Sequence, residues 1–131
     1  MEFLLDTNVC IAMLRGKYGI REAILRVGIE HCAVSEITIA ELFYGAAKSG
    51  NVKHTQEVGQ VMRMFEVIPI SDSLELYGHI KSELERRGER IDELDLFVGA
   101  SALQHGMVLI THNRRHFDRI AGLAVDDWEV E

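Results

Sequence analysis

The sequence predicts an α/β fold with a mainly parallel sheet. Two observations carry that prediction. Short apolar segments alternate along the chain with helical patterns. The first apolar segment, Glu2-Phe3-Leu4-Leu5, stops abruptly at the polar Asp6, Thr7 and Asn8. Ligands of open α/β sheets bind outside the carboxyl ends of the strands, so an acid at the end of a first strand faces the site. Capping of the next helix is the competing use for Asp6.

Strands are expected at residues 3–6, 32–35, 67–70 and 107–111, with a fifth at 123–125; each is short, apolar and flanked by helical spacing. Helical stripes run through Ile20, Ala23, Ile24 and Val27, through Val58, Val61, Met62 and Phe65, and through Leu74, Tyr77, Ile80 and Leu84. Gly28 and Gly88 follow two of them as C-terminal stops. These stripes read as core and specify the fold without specifying chemistry. Two further helical stretches carry polar residues of interest, one around Ile37 to Gly45 and one with the smooth face Leu96, Gly99, Ala100 and Leu103.

The chain has 131 residues, enough for one domain spanning 1–131 that buries roughly two-thirds of its unfolded surface without metal or disulfide staples. Cys10 and Cys32 stand singly in apolar stretches, which suggests buried thiols in a reducing cytoplasm and excludes a structural zinc motif. No run is long enough to span a membrane, and no signal-peptide pattern opens the chain. A soluble cytoplasmic protein is expected.

The formal charge of −7 argues against indiscriminate nucleic-acid binding. Its distribution weakens the objection, because Arg86, Arg87, Arg90, Arg114, Arg115 and Arg119 fall in the final third beside His112 and His116. A positive lip around an acidic centre is one reading; solvated helix ends are the other.

Three acids form the candidate centre. A helix through Ile37-Thr38-Ile39-Ala40-Glu41-Leu42-Phe43-Tyr44 places Glu41 on the face of Ile37 and Tyr44, inside an apolar stripe. A carboxylate there needs a partner, a proton or a cation. The alternative is a capping box with Thr38 as N-cap, but the helical pattern begins at Ser35, which puts Glu41 in the second turn. Asp95 precedes the smooth face in a first helical turn, where its lesser role is a favourable charge at a helix N-terminus; Asp92 or Glu93 fills that role equally well. The strand end Leu109-Ile110-Thr111-His112-Asn113 supplies a further polar contact. At about 5 Å and an effective dielectric of about 20, each pair of like charges costs about 3 kcal/mol, so something must neutralise Asp6, Glu41 and Asp95. Hard oxygen donors without a Cys/His set point to Mg²⁺ or Mn²⁺.

These residues, in this order, resemble the PIN-domain ribonucleases, in particular the VapC-type toxins of bacterial toxin–antitoxin pairs. The resemblance runs through Leu5-Asp6-Thr7-Asn8, through Ser35 to Leu42 with Gly45, through residues 88–102 around Asp95, and through Thr111-His112-Asn113 with Phe117. It extends to the closing Gly122-Leu123 and Asp127-Trp128. The resemblance implies a three-layer α/β/α sandwich and a Mg²⁺-dependent endonuclease, with Mn²⁺ as substitute, that cuts single-stranded regions of RNA, tRNA among them. By the same resemblance Asp6 and Asp95 match metal-binding aspartates, Glu41 the third acid, and Thr7, Asn8 and Thr111 the polar positions that orient ligands or water. Asn113 and His116 stand where relatives often carry acids, which puts a second tightly held metal in doubt.

The mechanism this implies is in-line attack of water on an RNA phosphodiester, leaving a 5′-phosphate and a 3′-hydroxyl. Arg114, Arg115 and Arg86 would meet backbone phosphates. The implied partners are RNA, a cognate antitoxin whose tail fills the groove, and a second copy in a homodimer within a larger hetero-oligomer. Two other readings remain open at this point: an inactive PIN-fold module that binds RNA or a partner, and a Mg²⁺-dependent phosphotransfer domain. The latter lacks the second Asp two residues after Asp6, where Asn8 stands, and the lysine expected after a late strand.

Overall fold

The computed structural model describes residues 2–130. Its strands are β1 (Phe3–Leu5), β2 (Cys32–Ser35), β3 (Glu66–Ile68), β4 (Val108–Ile110) and β5 (Val125–Asp126). They pair in the order β3-β2-β1-β4-β5, every neighbour parallel. The helices are α1 (Thr7–Arg15), α2 (Ile20–Val27), α3 (Glu36–Ser49), α4 (Val52–Met64), α5 (Leu74–Arg86), α6 (Glu93–Gln104) and the short α7 (Arg114–Phe117).

Parallel strands require crossovers, and right-handed crossovers sort these helices by the direction of travel across the sheet. From β1 outward to β3 the chain lays α1 to α4 on one face, where Val9, Ile24, Ile39 and Val61 bury against Leu5, Val34 and Ile110. It then returns to β4 across the other face, where Leu84, Leu96, Ala100 and Phe117 bury against Leu4, Ala33 and Leu109. The result is a three-layer α/β/α sandwich in which alternate residues of β1 feed two cores.

The strand order reverses between β1 and β4. Leu5 pairs with Val34 on one side and Ile110 on the other, so Asp6 and Thr111 leave neighbouring strands side by side at the carboxyl edge. That is the switch point at which open α/β sheets form a crevice.

The expected elements are present, with corrected limits. Asp6 lies past the end of β1, and β3 begins and ends before residues 69 and 70, where Pro69 leads into a 3-10 turn at Ile70–Ser73. The last strand is Val125–Asp126 rather than 123–125. Two stripe residues are not core: Leu74 is 52% exposed and Met62 43%, because each sits at the edge of its helix's buried face. Gly28 caps α2, and Gly88 takes a left-handed φ of 69° just after α5, as stops should.

Candidate active site

Asp6 serves both uses that the sequence left open. It is the N-cap of α1, its Oδ1 accepting the Thr7 N–H at 2.8 Å, and it is only 3% exposed. Its Oδ2 accepts the Thr111 hydroxyl at 2.8 Å and the Asn8 side-chain amide at 3.4 Å. The Thr111 oxygen in turn accepts the Asn113 N–H at 3.0 Å, which leaves the hydroxyl proton aimed at Asp6. Asn8 also accepts the His112 N–H at 3.2 Å, tying the end of β4 to the start of α1.

Glu41 lies in the second turn of α3. Ser35 is that helix's N-cap, accepting the Ile37 N–H at 3.1 Å, so the capping box with Thr38 does not form. Thr38 is instead fully buried, its hydroxyl 3.2 Å from that of Thr7. The Thr7 hydroxyl donates to Glu41 Oε1 at 2.6 Å; with one proton to give, it serves the carboxylate. The apolar stripe around Glu41 is narrower than the sequence suggested, because Tyr44 is 68% exposed while Leu42 turns into the core.

Asp95 occupies the first turn of α6, half-buried, and His116 Nδ1 of α7 stands 3.5 Å from its Oδ2. Asp92 takes the capping role, its carboxylate accepting the Leu94 N–H at 3.3 Å. Burial is the main cause that raises Asp95 above the ordinary carboxylate value; His116 opposes it, and the charges of Asp92 and Glu41 add to it. Asp6 is likewise raised by burial first, opposed by its bonds from Thr111 and Thr7, and raised further by Asp95. Asp6 therefore senses Asp95, and Asp95 senses Glu41, across three separate elements. Behind them burial pushes the Cys10 thiol up, with Asp6 adding to the effect, so this cysteine stays protonated packing.

The remaining candidates divide. Arg114 and Arg115 are exposed on α7, the helix whose His116 touches Asp95. Arg86 pairs with Glu83 at 3.0 Å on α5. Arg87 and Arg119 are committed to backbone carbonyls, those of Arg119 and Arg90 respectively, and so brace the loop before α6. The Asn113 side chain is exposed at the start of α7 and makes no capping bond.

Three features escaped the sequence reading. The contact of His116 with Asp95 depends on how α7 folds back on α6, which no spacing encodes. His112 Nδ1 lies 3.0 Å from Asp127 and 3.2 Å from Glu129, pinning the C-terminal segment to the end of β4. A cavity of about 420 Å³ opens between α1, α3 and α4, with Glu41 in its wall beside Arg15, Lys53 and His54. The first two residues of that trio sit on different helices and gain meaning only once α4 packs on α3.

The donor set at the crevice fits a hard divalent cation: carboxylates of Asp6, Glu41 and Asp95, of which Asp6 and Asp95 are held above their ordinary range by burial and nearby carboxylates, with hydroxyl and amide donors already fixing lone pairs of Asp6 and Glu41. A cation there relieves both causes of the raised pKa.

Residues 3–123 match the PIN domain family. The chain is 34% identical to the tRNA(fMet)-specific endonuclease VapC of Salmonella typhimurium, with 98% of each chain covered. It is 30% identical to the tRNA(fMet)-specific endonuclease VapC of Shigella flexneri, again over 98% of each. Among solved structures, VapBC2 from Rickettsia felis bound to a promoter DNA fragment superposes with a TM-score of 0.88 at 27% identity, covering 98% of this chain and 100% of that one. DNA-bound VapBC from Salmonella typhimurium follows with a TM-score of 0.85 at 31% identity, covering 98% of both chains. The switch-point acids, the parallel five-stranded sheet and full-length similarity agree, and the chain belongs to the VapC branch of the PIN-domain family.

Proposed function

We propose that this chain is a Mg²⁺-dependent endoribonuclease toxin, with Mn²⁺ able to substitute, that hydrolyses phosphodiester bonds in single-stranded regions of RNA. The observation that carries the reading is the convergence of Asp6, Glu41 and Asp95 on one crevice, where burial and mutual charge raise two of them. A binding module gains nothing from that repulsion. The names of the Salmonella and Shigella relatives support tRNA as the substrate class.

Asp6, Glu41 and Asp95 would hold the cation, which when bound supplies Lewis acidity toward the phosphate and the attacking water. The protein's part is orientation. Thr111 and the α1 N-terminus fix both oxygens of Asp6, so its carboxylate cannot swing away from the crevice. Thr7 fixes Glu41 from the first turn of α1, and His116 steadies Asp95 from the opposite layer. Water attacks phosphorus in line, the P–O3′ bond breaks, and the departing oxygen takes a proton, leaving a 5′-phosphate and a 3′-hydroxyl. Asp92 and Asn113 stand at the rim as auxiliary contacts, and Arg114 and Arg115 meet the backbone on the α7 side.

A cognate antitoxin is the proposed protein partner, in a hetero-oligomer built on a homodimer of this chain in the cytoplasm. The structural likeness to VapBC assemblies supports that reading, as does the net charge of −7, which suits a basic partner. Among the described residues no helix is long and apolar enough to cross a membrane.

The deciding experiment incubates partner-free protein with total bacterial RNA in Mg²⁺ or Mn²⁺, beside Asp6→Asn and EDTA controls, and maps the ends. A discrete cut bearing a 5′-phosphate, lost in both controls, is expected. Intact RNA from folded, partner-free protein would move the assignment to an inactive PIN-fold binding module.

A further inference from the structure

We propose that the groove between α1, α3 and α4 is the channel for the RNA strand on the Glu41 side of the scissile phosphate, with Arg15 and Lys53 holding backbone phosphates. This rests on the nuclease reading above. The groove is continuous with the crevice, since Glu41 belongs to both. An RNA strand bound at the crevice must leave it in two directions. On the Asp95 side it meets Arg114 and Arg115 of α7, and on the Glu41 side it meets this cavity of about 420 Å³.

The walls place two cations, Arg15 and Lys53, within the groove beside the carboxylates of Glu41 and Glu57. Arg15 ends α1 and Lys53 lies in the first turn of α4, so the two cations line the groove from different helices, and neither forms an ion pair among the described residues. His54 adds a third nitrogenous side chain, steadied by Ser49 at 2.8 Å. Lys53 and His54 also sit in the first turn of α4, where the helix dipole disfavours cations and where this helix has no acid. Helix stability therefore does not account for their placement. Glu57 is the one carboxylate of the groove besides Glu41, and Glu41 is committed to the crevice. Ile11, Leu14, Leu42 and Val58 form an apolar floor that accepts ribose and base faces while the cations take the phosphates. A chain of net charge −7 that concentrates unpaired cations beside its acidic centre directs a phosphate strand to that place rather than over its whole surface.

The test uses full-length, partner-free protein carrying Asp6→Asn, so that RNA binds without being cut, and a fluorescent single-stranded oligoribonucleotide of mixed sequence in Mg²⁺. Arg15→Gln with Lys53→Gln should weaken binding at least about tenfold at low salt and flatten the slope of log K against log salt by about 1.4, the value for two phosphate contacts. Both side chains are exposed, so the melting temperature should hold and report an intact fold. Unchanged affinity and slope, in a protein whose wild-type form cleaves RNA, would overturn the groove assignment and leave the nuclease reading standing. A wild-type protein that neither binds nor cuts RNA would remove both.

Discussion

Thr7 is a small residue with three tasks: it opens α1, its N–H caps onto Asp6, and its hydroxyl holds Glu41 from 34 positions away in sequence. Thr7→Val removes only the hydroxyl. It should weaken Mn²⁺ binding about 10- to 100-fold, the usual cost of losing a group that orients a ligand, while the metal-free melting temperature moves little. Calorimetric titration with Mn²⁺ checks it. The acids themselves predict a pH effect. Asp6 and Asp95 are raised above 3.8 in the folded chain, so the native state binds protons more tightly than the unfolded one just above that value. Their protonated forms favour the fold at low pH, and that contribution is lost as pH rises through the raised pKa values. Metal-free protein should therefore show a falling component in its melting temperature as pH climbs out of the carboxylate range, smaller in Asp6→Asn and Asp95→Asn and abolished by saturating Mn²⁺. A rising component that Asp95→Asn leaves untouched would contradict it.

At this scale the sequence was legible where local pattern forces geometry. Asp6 follows an apolar strand, Glu41 interrupts a helical stripe and Asp95 precedes one, so each announces its place through neighbours a few residues away. The place of Arg15 in the groove and the carboxylate partners of His112 and His116 are not announced, because they depend on elements that approach only through the tertiary path.

Among the elements, α6 shows how packing tolerance positions the site. Gly99 faces Ile120, and a Cβ built on it would stand 2.5 Å from the Ile120 side chain and 3.4 Å from that of Phe117. The close approach seats α6 against the segment that carries α7, and so sets Asp95 beside His116. Gly99→Val should destabilise by about 1–3 kcal/mol through overpacking, read from urea denaturation. Gly78, exposed in α5 with open space around it, is the contrast: Gly78→Ala should stabilise by about 0.4–1 kcal/mol. The smooth face of α6 was readable from Leu96, Gly99 and Ala100, whereas strand limits were off by a residue or two. Pro69 and Asp6 look like strand continuations by composition, but the first has no N–H for a ladder, and the second keeps its N–H on Ile110 of β4 while its C=O already accepts from Val9 and Cys10 of α1.

For the whole molecule, a cation held by three carboxylates on one crevice, as proposed above, would couple its binding to folding. At a free Mn²⁺ concentration of about 100 times Kd, the wild type should gain about 2.7 kcal/mol of stability, and Asp6→Asn with Asp95→Asn should gain almost none. A thermal melt with and without Mn²⁺ decides it; equal shifts in both proteins would place the cation elsewhere, for instance at His112, Asp127 and Glu129. The strand order has a further consequence, in time rather than space. The bond from Thr111 to Asp6 joins residues 105 positions apart, and β1 lies between β2 and β4 with Trp128 against Phe3. Asp6 is translated 105 residues before its hydroxyl partner. A nascent chain still lacking β4 holds Asp6 on an open strand edge, with no switch point for a crevice. The site closes only after β4 and Thr111 have been made, so no shorter nascent piece holds the assembled crevice.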